Sequence, residues 1–355
     1  MATVIAAKFD SPQEPKQEDD GTEAMVETAT EASPAPVKAG KVALPAFAAS
    51  VVGSGRIADM LRGMLLPLIG IATFLALWSV LAPQVDTSLG SLPGPVEVAG
   101  QGVALYNEWS AAQVEKSAFY DAQDARIAAG QQAQAFDYSG PPTFLDQVLT
   151  SLKTVALGFV LASLLAVPLG LVCGLSQAVN AAINPLVQIF KPVSPLAWLP
   201  IVTMVISATM TGPEPILPKS FVISAIVVML CSLWPTLINT AVGAASIDKD
   251  LLNVGRVLRL GWFAKLTRLI LPSALPFIFT GMRLSLGVGW MVLIAAEMLA
   301  QNPGLGKFVW DEFQNGSSQS LARIMFAVIV IGLIGFLLDR TMMALQNFVS
   351  RNRTV

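Results

Sequence analysis

Six apolar runs of about twenty residues or more limit what this chain can fold into. They lie at about 64–82, 149–175, 186–210, 221–241, 277–300 and 324–348. A run of that length crosses a hydrocarbon core of roughly 30 Å as a single helix. Within a bilayer the backbone must satisfy its own hydrogen bonds, so continuous runs of this kind read as spanning helices. The expectation is an all-α membrane protein with six transmembrane helices, in a domain covering 60–350. Only 13% of residues are charged, about half the share of an average soluble domain, which agrees with a chain immersed in lipid.

Basic residues suggest the sidedness. Arg56 and Arg62 precede the first run, and Arg340, Arg351 and Arg353 close the chain. Cationic flanks mark the cytoplasmic side. Six crossings from a cytoplasmic amino terminus return the carboxyl terminus to the cytoplasm and put 243–272 there too. That loop is basic, with Arg256, Arg259, Lys265 and Arg268. The 83–146 stretch falls outside; it is poor in Lys and Arg, and rich in Ala and Gln, which favour helix. One or two short helices are expected in it. Residues 1–55 have no apolar period and an acidic start, and are expected to form a disordered leader.

The inventory of reactive groups is short. The chain has no histidine, hence neither the commonest metal ligand nor the commonest neutral-pH base. Cys173 and Cys231 both lie in apolar runs, as small buried residues do. No GxxxxGK[ST] phosphate loop occurs. The net charge of -2 gives no basic field for nucleic acid. A non-enzyme without metal or cofactor is expected, with membrane lipid rather than nucleic acid around it.

The segment from Asn239 to Pro276 is too long to be a mere connection, because most helix connections are far shorter. Ser246 or Asp248 is a candidate cap for a short helix starting near IDKDLL (Ile247–Leu252). Leu251, Val254, Leu258 and Phe263 recur at three- to five-residue steps, and Gly261 is a candidate turn. Such an amphipathic element suits a groove on a partner protein; the competing reading is a helix lying on lipid headgroups. The third run is broken by Pro192, Pro195 and Pro200, each of which removes a backbone donor. Breaks of that kind persist where protein or a water-filled cavity satisfies the freed groups.

These residues bring out a resemblance. The 243–272 loop, ending in Leu271-Pro272, resembles the cytoplasmic coupling loop of binding-protein-dependent ABC importer permeases, which carries an EAA…G…LP pattern. The chain departs from that pattern: Asn253, Val254 and Gly255 stand at the EAA positions and Arg259 at the glycine. NVGRVLRL (Asn253–Leu260), PVSPLAWLPI (Pro192–Ile201), LPFIFTGMRLSLGVGW (Leu275–Trp290), AAEML (Ala295–Leu299) and GLGKFVWDEFQ (Gly304–Gln314) are similar to the nitrate and bicarbonate branch of the nitrate/taurine/sulfonate permeases. The resemblance implies a type I importer permease fold in a bacterial inner membrane. It also implies a second permease subunit as a homodimer partner, two ABC ATPase subunits, and a periplasmic or lipid-anchored substrate-binding protein. The implied ATPase-coupling residues are Ser246, Asp248, Asp250, Leu251, Arg256 and Gly261. The implied cargo is a small anion: nitrate, nitrite or cyanate, with bicarbonate and taurine or alkanesulfonates as alternatives. A secondary anion transporter is the rival class, and would need carboxylates at mid-membrane.

Charges within the runs carry separate expectations. Arg283, two turns into the fifth run, is a candidate for the substrate path because buried cations in a span default to function; snorkelling to the interface is its alternative. Pro195 and Trp198, in the broken third run, are the other path candidates. Glu297 would repel an anion and is expected to make a structural or gating hydrogen bond. Asp339 and Arg340 are expected to form an interfacial pair.

Overall fold

The computed structural model describes residues 55–87, 90–131, 134–211, 217–317 and 319–351. The expected leader at 1–55 lies outside them except for its last residue. Two units are distinguished, Met1–Leu66 and Pro67–Val355; the packing described below is within the second.

Helix α1 (Gly55–Leu81) leads through a short turn and a two-residue antiparallel pairing, Asp86 with Ser91 and Thr87 with Gly90. Then comes α2 (Pro95–Ala128). The LPGP sequence starts this helix: Pro95 opens its first turn, where a missing N–H costs nothing, and the Gly94 N–H donates to Glu97 Oε2 at 3.2 Å. Where one or two short helices were expected, one 34-residue helix stands. Its Ala- and Gln-rich middle contains no breaker strong enough to interrupt it.

The central bundle is built by α3 (Phe144–Leu175), α6 (Lys219–Ala245) and α9 (Leu271–Ala300). Small residues set how they meet. A methyl group added at Gly158 would lie 2.7 Å from the Ala225 carbonyl oxygen, one at Gly170 would lie 2.7 Å from that of Leu237, and one at Gly174 would lie 2.3 Å from that of Ala241. The sequence offset is the same each time, so α3 and α6 run parallel. Between α6 and α9 the order reverses, with Gly243 against Phe277, Gly281 against Thr236, and Gly289 against Val228. These two helices are antiparallel. Without water to drive association, such close backbone approach is the main source of helix packing in lipid.

Because α3 and α6 are parallel, the chain between them must return across the bundle. It does so through α4 (Gln177–Phe190) and α5 (Pro195–Thr209), bent by 102° at the break between them. The expected single span at 186–210 is thus two helices. Pro192 lies in the break and Pro195 opens α5, and the Ser194 side chain caps α5 by accepting from the Leu196 N–H at 3.2 Å. Five other helices are long and apolar enough to cross a membrane, and the bent pair makes up to six candidate spans among the described residues.

The remaining elements are α7 (Lys249–Val257), α8 (Trp262–Lys265), a π-helical turn at Leu266–Ile270, α10 (Leu305–Asn315) and α11 (Ser320–Arg351). About half of the apolar stretch of α6 and of α9 is buried, whereas little of the apolar stretch of α11 or of the first span is. The core therefore sits around α6 and α9, with Val227, Val228, Leu286, Trp290 and Leu293 at its centre. The Trp290 Nε1–H fixes α11 to α9 by donating to the Ile331 carbonyl at 3.0 Å.

Candidate functional site

The segment between α6 and α9 forms a compact lobe at one end of the bundle. Asp248 is its cap, accepting from the Asp250 N–H at 2.9 Å. Ser246 instead closes α6, donating to the Gly243 carbonyl at 3.1 Å. Asp250 is exposed in the first turn of α7, and Leu251 turns inward to pack with Ile247 and Ile270. Arg256 donates to Asn253 Oδ1 at 3.1 Å. Gly261 precedes α8 in extended conformation with open space around it. The left-handed residue of the turn is Arg259, with φ 47°, two positions earlier than the expected turn residue.

The apolar period of this lobe divides between two faces. Leu251 anchors it to the bundle, whereas Val254, Val257, Leu258, Trp262 and Phe263 face outward, with Val257 81% and Phe263 71% exposed. Val257 and Trp262 were missed in the sequence because α7 ends at Val257 and α8 begins at Trp262, which breaks the helical period between them. Gly255 lets α7 lie on the π-helical turn: a methyl group there would meet Leu269 Cδ1 at 2.8 Å.

At the opposite end, α9 delivers Glu297, with no exposed surface, to the start of α10. Its carboxylate accepts from Ser151 Oγ at 2.8 Å and from the Gly306 N–H at 3.0 Å. The Ser151 oxygen in turn accepts from the Leu305 N–H at 2.8 Å. Donors at a helix start and its dipole both favour an anion there. Gly304 and Gly306 make the approach possible, since a methyl group on either would come within 2.1 Å of the Glu297 carboxylate or the Ile294 carbonyl. The hydrogen bond expected of Glu297 is thus a tie between α3, α9 and α10. Farther out, Arg323 of α11 pairs with Glu108 of α2 and, at 3.1 Å, with Glu312 of α10.

Arg283 and Asp339 form a two-pronged ion pair between α9 and α11, the second contact at 2.7 Å. The expected Asp339–Arg340 pair is not made; the Arg340 guanidinium lies over the Phe336 ring at 4.9 Å. Adjacent residues on a helix point in different directions, and Asp339 is the one that faces α9. Pro195 starts α5, and Trp198 sits one turn on, half-buried, its ring 5.7 Å from Phe190. Trp198 and Arg283 belong to different helices, and no hydrogen bond, ion pair or cation–π contact joins them.

Residues 166–354 match the family described as binding-protein-dependent transport system inner membrane component. The bicarbonate transport system permease protein CmpB of Synechococcus elongatus is 34% identical over 297 residues, covering 82% of this chain and 91% of that protein. The nitrate import permease protein NrtB of the same species is 32% identical over 278 residues, covering 78% and 86%. NrtB of a Synechocystis species is 33% identical over 285 residues, covering 80% and 88%. Among solved structures, the MetNI methionine ABC transporter in inward-facing conformations aligns with a TM-score of 0.46 at 16% identity, over 57% of this chain and 95% of that one. The chain is a multi-pass membrane protein of the binding-protein-dependent transport system inner membrane component family, the permease subunits of ABC importers that work with substrate-binding partners and leave ATP hydrolysis to separate subunits.

Proposed function

We propose that this chain is the permease of an ATP-driven importer for a small inorganic anion, with nitrate as the leading cargo and nitrite or cyanate as its relatives. The names of the NrtB proteins support this reading. Bicarbonate is the second reading, supported by CmpB at similar identity. The machine works in a bacterial inner membrane as a homodimer, above two ATPase subunits and beneath a periplasmic or lipid-anchored binding protein. The lobe of α7 and α8 lies in the cytoplasm, both termini with it, and α2 and α10 lie outside.

The observation that carries the reading is the outward apolar face of that lobe. Val254, Val257, Leu258, Trp262 and Phe263 are exposed together beside charged Asp250 and Arg256. Clustered exposed apolar side chains mark interaction sites, and an aromatic pair on a short helical element suits a groove on a partner. On this reading the ATPase grips that face. Ser246 and Asp248 set the angle of α7, Asp250 and Arg256 flank the contact, Leu251 passes the force to the bundle, and Gly261 lets α8 fold back. Pro195 and Trp198 line the path at the α4–α5 break. Arg283 meets the anion as one half of a neutralised pair.

The test replaces Trp262 and Phe263 by Ser in the reconstituted complex. Buried aromatic anchors dominate interface energetics, so ATP hydrolysis stimulated by loaded binding protein should fall about tenfold, with membrane insertion intact. Unchanged stimulation would sink the docking assignment. Uptake of labelled nitrate against bicarbonate by the unaltered complex decides the cargo.

A further inference from the structure

Between the ends of α3 and α6 and the length of α4 lies a cavity of about 420 Å³. Gln177, Asn180 and Asn184 line its polar side, and no charged residue lines it. These carboxamides stand at i, i+3 and i+7 of α4, hence on one face. Among the described residues neither Gln177 nor Asn180 makes a side-chain hydrogen bond, and Asn184 has only a long contact, accepting from Gln188 Nε2 at 3.5 Å. All three are exposed, so their amide donors are open to solvent.

A second observation adjoins the first. At the α4–α5 break the Phe190 ring stacks on Trp234 at 6.3 Å and lies beside Trp198. Both indole nitrogens are closed to solvent and donate to nothing. Orphaned buried donors are costly, and two flanking one ring call for an acceptor. Trp234 packs against the cluster of Ala166, Val187 and Leu237, of which Val187 and Leu237 also line the cavity.

Carboxamides alone take a cation or an anion equally well. An indole N–H only donates, and the two indoles, which stand at the adjoining break and not in the cavity lining, favour an anion beside it. We propose that the cavity and the break beside it form a transit site for a small, freely diffusing oxyanion in the inner half of the permease. It rests on the anion-import reading above. The donors are neutral, so they replace part of the hydration shell without holding the ion. Conduction needs sites that are favourable to enter and weak enough to leave. A guanidinium in the same place would be a trap.

The experiment uses the full complex in nanodiscs and proteoliposomes of phosphatidylcholine with phosphatidylglycerol. Asn180→Asp with Asn184→Asp keeps size and adds repulsion; Asn180→Ala with Asn184→Ala removes donors without charge. Both should lower uptake of nitrate or bicarbonate about tenfold, while loaded binding protein still stimulates ATP hydrolysis. Nitrate should quench tryptophan emission saturably, and Trp198→Phe with Trp234→Phe should abolish the saturable part. Unchanged uptake and quenching in all three variants overturns the site. Loss of a bound anionic lipid in the Asp variant by native mass spectrometry, with uptake unchanged, assigns the donors to lipid headgroups and also overturns it. Absence of nitrate and bicarbonate uptake in the unaltered complex refutes the cargo reading instead.

Discussion

Arg259 shows how a single residue records a departure from a family pattern. The resemblance put it where the pattern has glycine, and the backbone there has φ 47°, a region that glycine enters freely and other residues enter at a cost. Arg259→Gly should therefore stabilise the lobe by about 0.5–1 kcal/mol, read as a higher melting temperature of the purified complex. A lower melting temperature would mean that the guanidinium makes a contact worth more than the strain. Asp248 was legible as a cap because its chemistry is local: a short side chain reaches the N–H two residues on. Arg283 was legible as an expensive charge, whereas its partner was not. Asp339 lies 56 residues away, and only the antiparallel packing of α9 and α11 brings the two level.

At the scale of the element, the six apolar runs announced helices because span length and composition are properties of a contiguous stretch. Two features went beyond that reasoning. The prolines announced a break in the third run, but not that the run would begin as early as Gln177 or bend by 102°. The small-residue faces of α3 and α6 read as ordinary glycines until their offsets revealed a parallel contact. Gly158→Val tests that contact. A methyl group there already meets backbone at 2.7 Å, so the larger side chain should force α3 and α6 apart at a cost of about 2 kcal/mol or more. The expected result is loss of folded permease in detergent, by size-exclusion profile and thermal melt. A profile like that of the unaltered protein would mean the helices tolerate separation. Gly287, with open space around it, is the control position.

Across the whole molecule, the parallel α3–α6 pair and the antiparallel α9 and α11 sort the irregular segments to two ends. One end carries α7, α8 and the carboxamide-lined cavity; the other carries α2, α10 and the buried Glu297. Glu297→Ala removes the acceptor for Ser151 and Gly306 and leaves buried donors unpaired. It should cost about 3 kcal/mol and raise hydrogen exchange in α10 before the rest of the bundle. Exchange that rises uniformly, or not at all, would show that α10 is held by other contacts. The chain by itself determined the bilayer as its solvent, the number of long apolar stretches, the polar lobe between two of them and the lack of enzyme chemistry. Each is written in contiguous residues and their local energetics. Only the tertiary structure decided which helices are central, which face of the lobe is left open, what neutralises Arg283, and where Glu297 and the two orphaned indoles sit. Those depend on residues far apart in sequence, whose meeting is set by close helix packing and not by local preference.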